Sequence, residues 1–327
     1  MKNEDTLLRL NGLSKRFFQG AGQTVRAVEK VSFSVRRGEF FGVVGESGCG
    51  KSTLGRLILR LIEASEGRVF FNGEDITAAS KRRMALLRPS MQMVFQNPFA
   101  SFDPKMPLGA SLEEVARFYG LSRKERPDRI LELLDYINLS VDVLPRLPKE
   151  LSGGQLQRLA IARSLITNPA FIVADEPVSA LDVSVQAQLL NLLSDLKRRL
   201  NLTMLFISHD IQVVKYLCDR AAVMYMGGVV EIAGVEELFT RPLHPYTRAL
   251  IASAPKLNGE APYPVDTPDP KDTPDPVDTP DSMNPWEAWI GCRFAPRCPL
   301  RDDRCLSEPS LQAEGGDDHS VACHRNR

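Results

Sequence analysis

The chain has 327 residues, 43% hydrophobic and 25% charged, an ordinary soluble composition with room for one large α/β domain and a small appendix. Lys plus Arg and Asp plus Glu both number 41, so the chain lacks the basic excess that neutralises a nucleic-acid backbone, and no nucleic-acid partner is expected. No apolar run approaches the ~20 residues that span a bilayer, and Met1-Lys2-Asn3-Glu4-Asp5 does not open a signal peptide, so any membrane-spanning part must come from other chains.

Residues 1–95 alternate short β-rich runs with polar turns, for example 25–35 and 68–72, the latter closed by Asn72-Gly73. Between the apolar run 40–44 and a helical pattern from Ser52 lies Gly45-Glu46-Ser47-Gly48-Cys49-Gly50-Lys51-Ser52-Thr53, which fits the P-loop pattern G-x-x-x-x-G-K-[ST]. Gly45, Gly48 and Gly50 let the backbone wrap β- and γ-phosphates, Lys51 brings a positive charge, and the Ser52 hydroxyl can ligate Mg²⁺. Cys49 fills a free position of the pattern. Leu54, Leu57, Ile58, Leu61 and Ile62 then recur at helical spacing as one apolar face.

From about 98 to 152 the pattern is helical, with Leu112, Val115 and Phe118 in one stretch and Ile130, Leu131, Leu134 and Ile137 in another. It reads as a helical subdomain, about 98–165, inserted into an α/β core. Within it, Leu151-Ser152-Gly153-Gly154-Gln155 places a Ser-Gly-Gly turn at a helix start, either a plain helix cap or a second supply of N–H groups for a phosphate bound elsewhere. The core resumes with the apolar run 171–174, suited to a parallel strand buried on both faces. Asp175 ends that run where a Mg²⁺-organising carboxylate is needed, and Glu176 follows. A helix marked by Leu189, Leu190, Leu193, Leu196 and Leu200 leads to a second buried strand, 204–207, and to Ser208-His209-Asp210. Strand–helix–strand units of this kind predict an α/β fold with a doubly wound, mostly parallel sheet that binds its ligand at the carboxyl ends of the strands.

Past about 241 the composition shifts. The hexad D-T-P-D-P-x runs from Asp266 and from Asp272 and begins again at Asp278, which predicts an extended linker of polyproline character. Cys218 ends an apolar helical stretch, whereas Cys292, Cys298, Cys305 and Cys323 crowd the C-terminal tail as C-x5-C-x6-C-x17-C. In a reducing compartment such a set suits metal better than disulfides, and four thiols suffice for tetrahedral zinc or a four-cysteine iron–sulfur cluster. His319 and His324 are spare candidate ligands, expected on the surface.

The P-loop, the Leu151-Ser152-Gly153-Gly154-Gln155 segment and the Asp175-Glu176 pair, in this order, resemble the ATP-binding cassette of transporters. The resemblance implies a P-loop nucleotide-binding fold with an antiparallel β subdomain and a helical insertion, and it implies ATP with Mg²⁺. Thr53 becomes a phosphate donor, Asp175 a Mg²⁺ ligand with Ser52 and Gln96, and Glu176 the carboxylate that polarises the attacking water. His209 matches the histidine that contacts the γ-phosphate. Gln96, in Val94-Phe95-Gln96-Asn97-Pro98, matches the glutamine that touches Mg²⁺ and water and relays to the membrane subunit. Ser179-Ala180-Leu181-Asp182 resembles the D-loop at the cassette dimer interface, and Phe17 or Phe18 stands where the family stacks a ring on adenine. In that family Ser152, Gly153, Gly154 and Gln155 of one cassette close on the nucleotide held by the opposite P-loop, so the active unit has two chains, the second a copy or a paralogue.

Pro242-Leu243-His244-Pro245-Tyr246-Thr247-Arg248-Ala249-Leu250 and Gly291-Cys292-Arg293-Phe294-Ala295-Pro296-Arg297-Cys298-Pro299 resemble segments of the ATPase subunits of bacterial oligopeptide and dipeptide permeases, and 55–63 and 91–104 resemble the second ATPase of the pair. Lys149 replaces a usual histidine before the signature, and Leu156 a usual arginine after it. The resemblance implies the ATP-hydrolysing subunit of an importer for di- or oligopeptides, with nickel or another solute as the alternative cargo. It also implies two transmembrane permease subunits and, indirectly, a substrate-binding protein as partners, attachment at the cytoplasmic face of the membrane, and a [4Fe–4S] cluster on the four tail cysteines with zinc as the alternative. The rival class is a soluble cassette protein acting on nucleic acid or ribosomes, which usually carries two cassettes or long coiled-coil insertions. The expected division is a cassette over 1–240, a peptide-permease segment over 241–264, the linker over 265–283 and the Cys-rich segment over 284–327.

Overall fold

Apolar residues alternate along both N-terminal segments, and each forms one long strand rather than a series of short ones: β1 (Thr6–Gln19) and β2 (Gln23–Arg36). In the computed structural model, which describes residues 5–19, 23–254, 291–314 and 318–326, the chain divides into two compact units. The linker repeat, residues 255–264 of the peptide-permease segment and residues 284–290 of the Cys-rich segment lie outside the described residues.

The unit that holds the P-loop comprises 6–34, 41–77 and 208–327. After β3 (Phe40–Val44) come α1 (Lys51–Ile58), β4 (Glu66–Phe71) and β5 (Glu74–Asp75). A four-stranded sheet runs in the order β2-β1-β4-β5, with Leu8 opposite Phe71 and Leu10 opposite Val69. Asn72 and Gly73 turn β4 back into β5 with φ of 50° and 80°, the conformation that Asn-Gly hairpins favour. α1 buries Leu54, Leu57 and Ile58 but stops there. Arg60 turns left-handed at φ 53° and the Leu61 N–H returns to the Arg56 carbonyl at 2.9 Å, which swings Leu61 out to solvent instead of extending the helical face.

The second unit comprises 1–5, 35–40 and 78–207 and carries the Ser-Gly-Gly segment. Its elements are α2 (Lys81–Leu87), β6 (Met91–Val94), α3 (Leu108–Phe118), α4 (Glu125–Tyr136), α5 (Gly153–Leu165), β7 (Phe171–Asp175), α6 (Val183–Leu200) and β8 (Thr203–Ser208). β6, β7 and β8 are parallel, Val94 beside Ala174 and Asp175 beside Ile207, and every residue of β7 and β8 is buried. That confirms the central parallel strands. In α3 the inward face is Leu108, Leu112 and Ala116, so Phe118 is exposed, contrary to the expected apolar face. In α4 Ile130, Leu133 and Leu134 are buried while Leu131 is exposed. Arg129 reaches from α4 to the end of α5, donating to the Leu165 and Ile166 carbonyls that the helix leaves unpaired.

The chain returns to the P-loop unit through α7 (Ile211–Leu217), capped by Cys218, then β9 (Arg220–Tyr225), β10 (Gly228–Gly234), α8 (Val235–Thr240) and α9 (Pro245–Ser253). β3 and β9 are parallel with Val44 beside Val223, and β10 runs antiparallel to β9. The tail then adds β11 (Gln312–Ala313) and β12 (Ser320–Val321), β12 pairing with β10. Among the described residues no helix is long and apolar enough to cross a membrane.

Candidate nucleotide site

β3 is buried along its whole length and delivers the chain into the P-loop, whose last glycine, Gly50, opens α1 at φ 107°. A Cβ at Gly50 would stand 2.0 Å from the Ala27 carbonyl oxygen, so only glycine meets both the turn and the close approach. α1 begins without a side-chain cap, leaving a helix N-terminus suited to an anion. Ser47 and Gly48 are exposed at the loop tip, and Ser52 and Thr53 lie in the first helical turn. Lys51 is buried, its Nζ donating to the carbonyl oxygens of Gly45 at 2.8 Å and Glu46 at 2.9 Å. Those dipoles hold the ammonium inside the loop, in a position from which an anionic phosphate oxygen, the stronger acceptor, can draw it. Burial pushes the Cys49 thiol up, with the Lys51 charge opposing, so Cys49 is a protonated packing residue rather than a nucleophile. In the same unit His209 is exposed one residue before Asp210, whose carboxylate caps α7 by accepting the Gln212 N–H at 2.8 Å. Phe17 is half-exposed with Lys15 Nζ 5.1 Å from its ring centroid, and Phe18 is more exposed still.

In the second unit, β7 ends on the buried Asp175 and the chain kinks at Glu176, whose φ is 47°. A left-handed residue with a side chain is strained, and the hydrogen bond from Glu176 N–H to the Ile207 carbonyl, 3.0 Å, holds it there. Gln96 Nε2 donates to Glu176 Oε2 at 3.2 Å and reaches Ser179 Oγ at 3.5 Å, while that hydroxyl donates back to the Glu176 carbonyl at 3.0 Å. Gln96, Glu176 and Ser179 therefore form one exposed hydrogen-bonded group, in which a carboxylate can take a proton from water and an amide can orient it.

Ser152 is the N-cap of α5: its hydroxyl accepts the Gln155 N–H at 3.3 Å and Gln155 Oε1 accepts the Ser152 N–H at 3.1 Å. Ser152 and Gly153 face solvent, so the capped start of α5 is open at the surface. Gly154 packs on α6, where a Cβ would stand 2.4 Å from Val185 Cγ1, and Asp182 is the N-cap of α6.

The permease-type segments build a third region, within the P-loop unit. The imidazole of His244 caps α9, Nδ1 accepting the Tyr246 N–H at 3.1 Å, and burial pushes its pKa down to about 4. Glu231 on β10 accepts the N–H groups of Leu243 and His244, at 2.8 and 2.9 Å, and faces His319 Nε2 at 2.8 Å. His319 is thus buried, not at the surface, with Nδ1 2.9 Å from Glu237 Oε1, and His324 is buried with Nε2 donating to the Ser307 carbonyl at 2.9 Å. Both are structural. Burial first, then the neighbouring tail thiols, pushes Cys292 up, and the same two causes push Cys298 up to about 11. No disulfide forms, and among the described residues no three His, Cys, Asp or Glu side chains are arranged to hold a metal ion. Cys292 also lines a cavity of about 440 Å³ with Lys30, Arg293 and Glu308, which includes no P-loop residue.

Sequence reasoning missed three residues at the P-loop. Glu46, at a free position of the motif, accepts Arg297 Nη1 at 3.1 Å on both carboxylate oxygens, and its N–H donates to the Tyr246 hydroxyl at 3.0 Å. Tyr246 and Arg297 were visible only as letters of the two permease-type segments.

The ABC transporter family profile matches residues 28–179, and the profile of the oligopeptide/dipeptide transporter C-terminal region matches 230–305. A putative peptide import ATP-binding protein of Brucella ovis is 45% identical over 99% of both chains. The oligopeptide transport ATP-binding protein AppF of Bacillus subtilis is 42% identical over 98% of both. Among solved structures, a dimeric post-hydrolysis state of the ATP-binding cassette MJ0796 bound to ADP and Pi superposes with a TM-score of 0.64 at 29% identity, over 70% of this chain and 99% of that one. CbiO1 of Clostridium perfringens, part of the transporter complex cbiONQ, gives 0.66 at 27% identity, over 73% and 92%. The fold is thus that of the ABC ATPases, and the chain belongs to the ATP-binding subunits of ABC transporters, in the branch that carries the oligopeptide/dipeptide transporter C-terminal region.

Proposed function

We propose that this chain hydrolyses ATP to drive import of di- or oligopeptides through two separate membrane subunits fed by a substrate-binding protein. Full-length similarity to peptide import ATP-binding proteins supports the cargo class. The observation that carries the hydrolytic reading is the kinked Glu176 held 3.2 Å from Gln96 at the end of a buried strand. In this reading Lys51 and the helix start at Gly50–Thr53 bind the phosphates, Glu176 takes the proton of the attacking water, Gln96 orients that water, and His209 holds the γ-phosphate oxygens. Ser52, Gln96 and Asp175 would hold Mg²⁺, which neutralises phosphate charge when bound. The polar hydroxyl, amide and carboxylate are the hard oxygen donors that Mg²⁺ prefers. Phe17 would stack on adenine. Ser152, Gly153, Gly154, Gln155 and Asp182 would serve the nucleotide of a second cassette, a copy or a paralogue.

The membrane subunits would dock on the helical unit at the cytoplasmic face of the membrane. Supporting that, Phe118 and Phe99 are exposed, and Phe118 borders a cavity of about 310 Å³ lined by Met93, Glu114, Tyr119 and Arg163. Phe102, in contrast, is buried beneath the Arg163 guanidinium and takes no part. The four tail thiols would hold a [4Fe–4S] cluster, with zinc as the rival occupant. The influence of the other tail thiols on Cys292 and Cys298 supports a shared site, although ligation requires the thiols to move closer together.

The test is the chain assembled with its membrane subunits. Glu176→Gln should bind ATP as the wild type does and lose ~10²–10⁴-fold in turnover, the contribution of a positioned base. Turnover at the wild-type rate removes Glu176 from its role, and failure of the chain to assemble with any membrane subunit removes the transport reading.

A further inference from the structure

Glu46 joins three separate parts of the P-loop unit. The peptide plane between Gly45 and Glu46 carries the Glu46 N–H, which donates to the Tyr246 hydroxyl at 3.0 Å, and the Gly45 carbonyl, which accepts Lys51 Nζ at 2.8 Å. In a trans peptide these two groups point in opposite directions, so one plane is held at both edges, and rotating it breaks both contacts. The next carbonyl, that of Glu46, also accepts Lys51 Nζ, at 2.9 Å. Gly45 also packs closely on β9: a Cβ there would stand 2.1 Å from the Met224 carbonyl oxygen, so on that side the loop has little room.

The other side of this junction is built by the permease-type segments. Tyr246 is among the most deeply buried side chains, packed on Tyr225 at a centroid distance of 4.5 Å and on Phe294 at 5.5 Å. Arg297 lies 5.9 Å over both Tyr225 and Phe294 and binds both oxygens of Glu46. The Arg297–Glu46 pair is half-exposed, 51% and 46%, so as an isolated ion pair it adds little. Its effect is to fix the direction of a side chain whose backbone is already tied to Tyr246 and Lys51.

We infer that Tyr246 and Arg297 are positioning residues for nucleotide binding, acting through Glu46 to set where the Lys51 ammonium waits for phosphate. The inference rests on the nucleotide role of the P-loop and deepens it. Because Lys51 must leave two carbonyls to reach phosphate, the orientation of those carbonyls sets how readily it is released and how far it travels. The cysteine-bearing tail is thereby a working part of the ATP site rather than an appendix.

The experiment measures nucleotide affinity of the full-length chain, together with KM for ATP and kcat in the assembled transporter. Tyr246→Phe keeps the ring and removes the acceptor, and it should weaken nucleotide binding roughly 2- to 10-fold, the weight of one hydrogen bond, with kcat within about twofold of wild type. Arg297→Glu and Glu46→Arg should each raise KM for ATP, most at low salt, and the double exchange should bring KM back toward wild type. Melting temperatures that fall while KM holds steady would make the junction purely structural and overturn the inference, as would a double exchange no better than the product of its singles. Lys51→Ala separates the two levels. If it binds nucleotide like wild type, the reading of the P-loop fails; if it loses binding while the Tyr246 and Arg297 variants keep wild-type KM, only the positioning role fails.

Discussion

Glycines in the P-loop are not equivalent, although the motif writes them with one letter. Gly48 sits at φ 81° with nothing within 4 Å of a hypothetical Cβ, whereas Gly50 sits at φ 107° with the Ala27 carbonyl 2.0 Å away. Gly48→Ala adds only backbone strain, about 1–3 kcal/mol, while Gly50→Ala adds a clash with main chain that cannot move aside. We expect Gly48→Ala to fold and bind ATP weakly, and Gly50→Ala to lose binding altogether with a clearly lower melting temperature. Equal melting temperatures for the two would show that the loop rearranges around Gly50. Both positions were legible in the sequence because the P-loop is a local motif, closed within nine residues. The contacts of Glu46 were not legible: its partners Tyr246 and Arg297 lie 200 and 251 residues away, and a free position in a motif says nothing of what folds against it.

At the level of elements, His319 fastens the tail to β10 through Glu231 and to α8 through Glu237, and Glu231 also accepts the N–H of His244, a histidine of opposite behaviour. His244 is pushed down to about 4 by burial, so its contribution is full above the ordinary histidine value of ~6.5 and is lost as pH falls toward 4. His319 would be lowered by its burial, but its contacts with Glu231 and Glu237 outweigh that and raise it. Its contribution is therefore full below ~6.5 and is lost as pH rises through the raised value. Stability of the P-loop unit should peak near pH 6.5, with an acid limb worth up to about 3 kcal/mol from His244 and a shallower alkaline limb from His319. Melting temperatures of the full chain at pH 5, 6.5 and 8 check this. His319→Gln should abolish the alkaline limb alone, and a wild-type protein that keeps gaining stability from pH 6.5 to 8 would contradict it. The buried strands β7 and β8 were readable from their continuous apolar runs, 171–174 and 204–207, since burial on both faces leaves no alternation with polar residues there. The ends of α1 and the outward turn of Phe118 were not, because helical periodicity does not report where a helix stops or which neighbour covers its face. β11 and β12 are two residues each, too short to carry an alternation; β12 pairs with β10 and β11 with β12.

Taken over the whole molecule, the tail is the part least able to hold itself together. Its described stretch, 291–314 and 318–326, buries few apolar side chains, chiefly Phe294, Val321 and Ala322, and segments with so little core commonly depend on a metal to fold. Burial and the neighbouring thiols push Cys292 and Cys298 up, Cys298 to about 11, and a bound metal is the agent that removes such protons. Because Arg297 stands next to Cys298 and reaches Glu46 in the P-loop, the occupancy of the thiols should be felt where nucleotide binds. Full-length chain isolated without oxygen should therefore be brown, contain iron and acid-labile sulfide, and melt higher than the same chain after the iron is removed. Replacing Cys298 with serine should remove the colour and lower the melting temperature while leaving Lys51-dependent nucleotide binding measurable, though weaker. Stoichiometric zinc without sulfide would give the site to zinc. A colourless chain with neither metal, melting the same before and after chelation, would leave the tail held by its protein contacts alone, among them β10, Glu231, Glu237 and the Arg297–Glu46 pair.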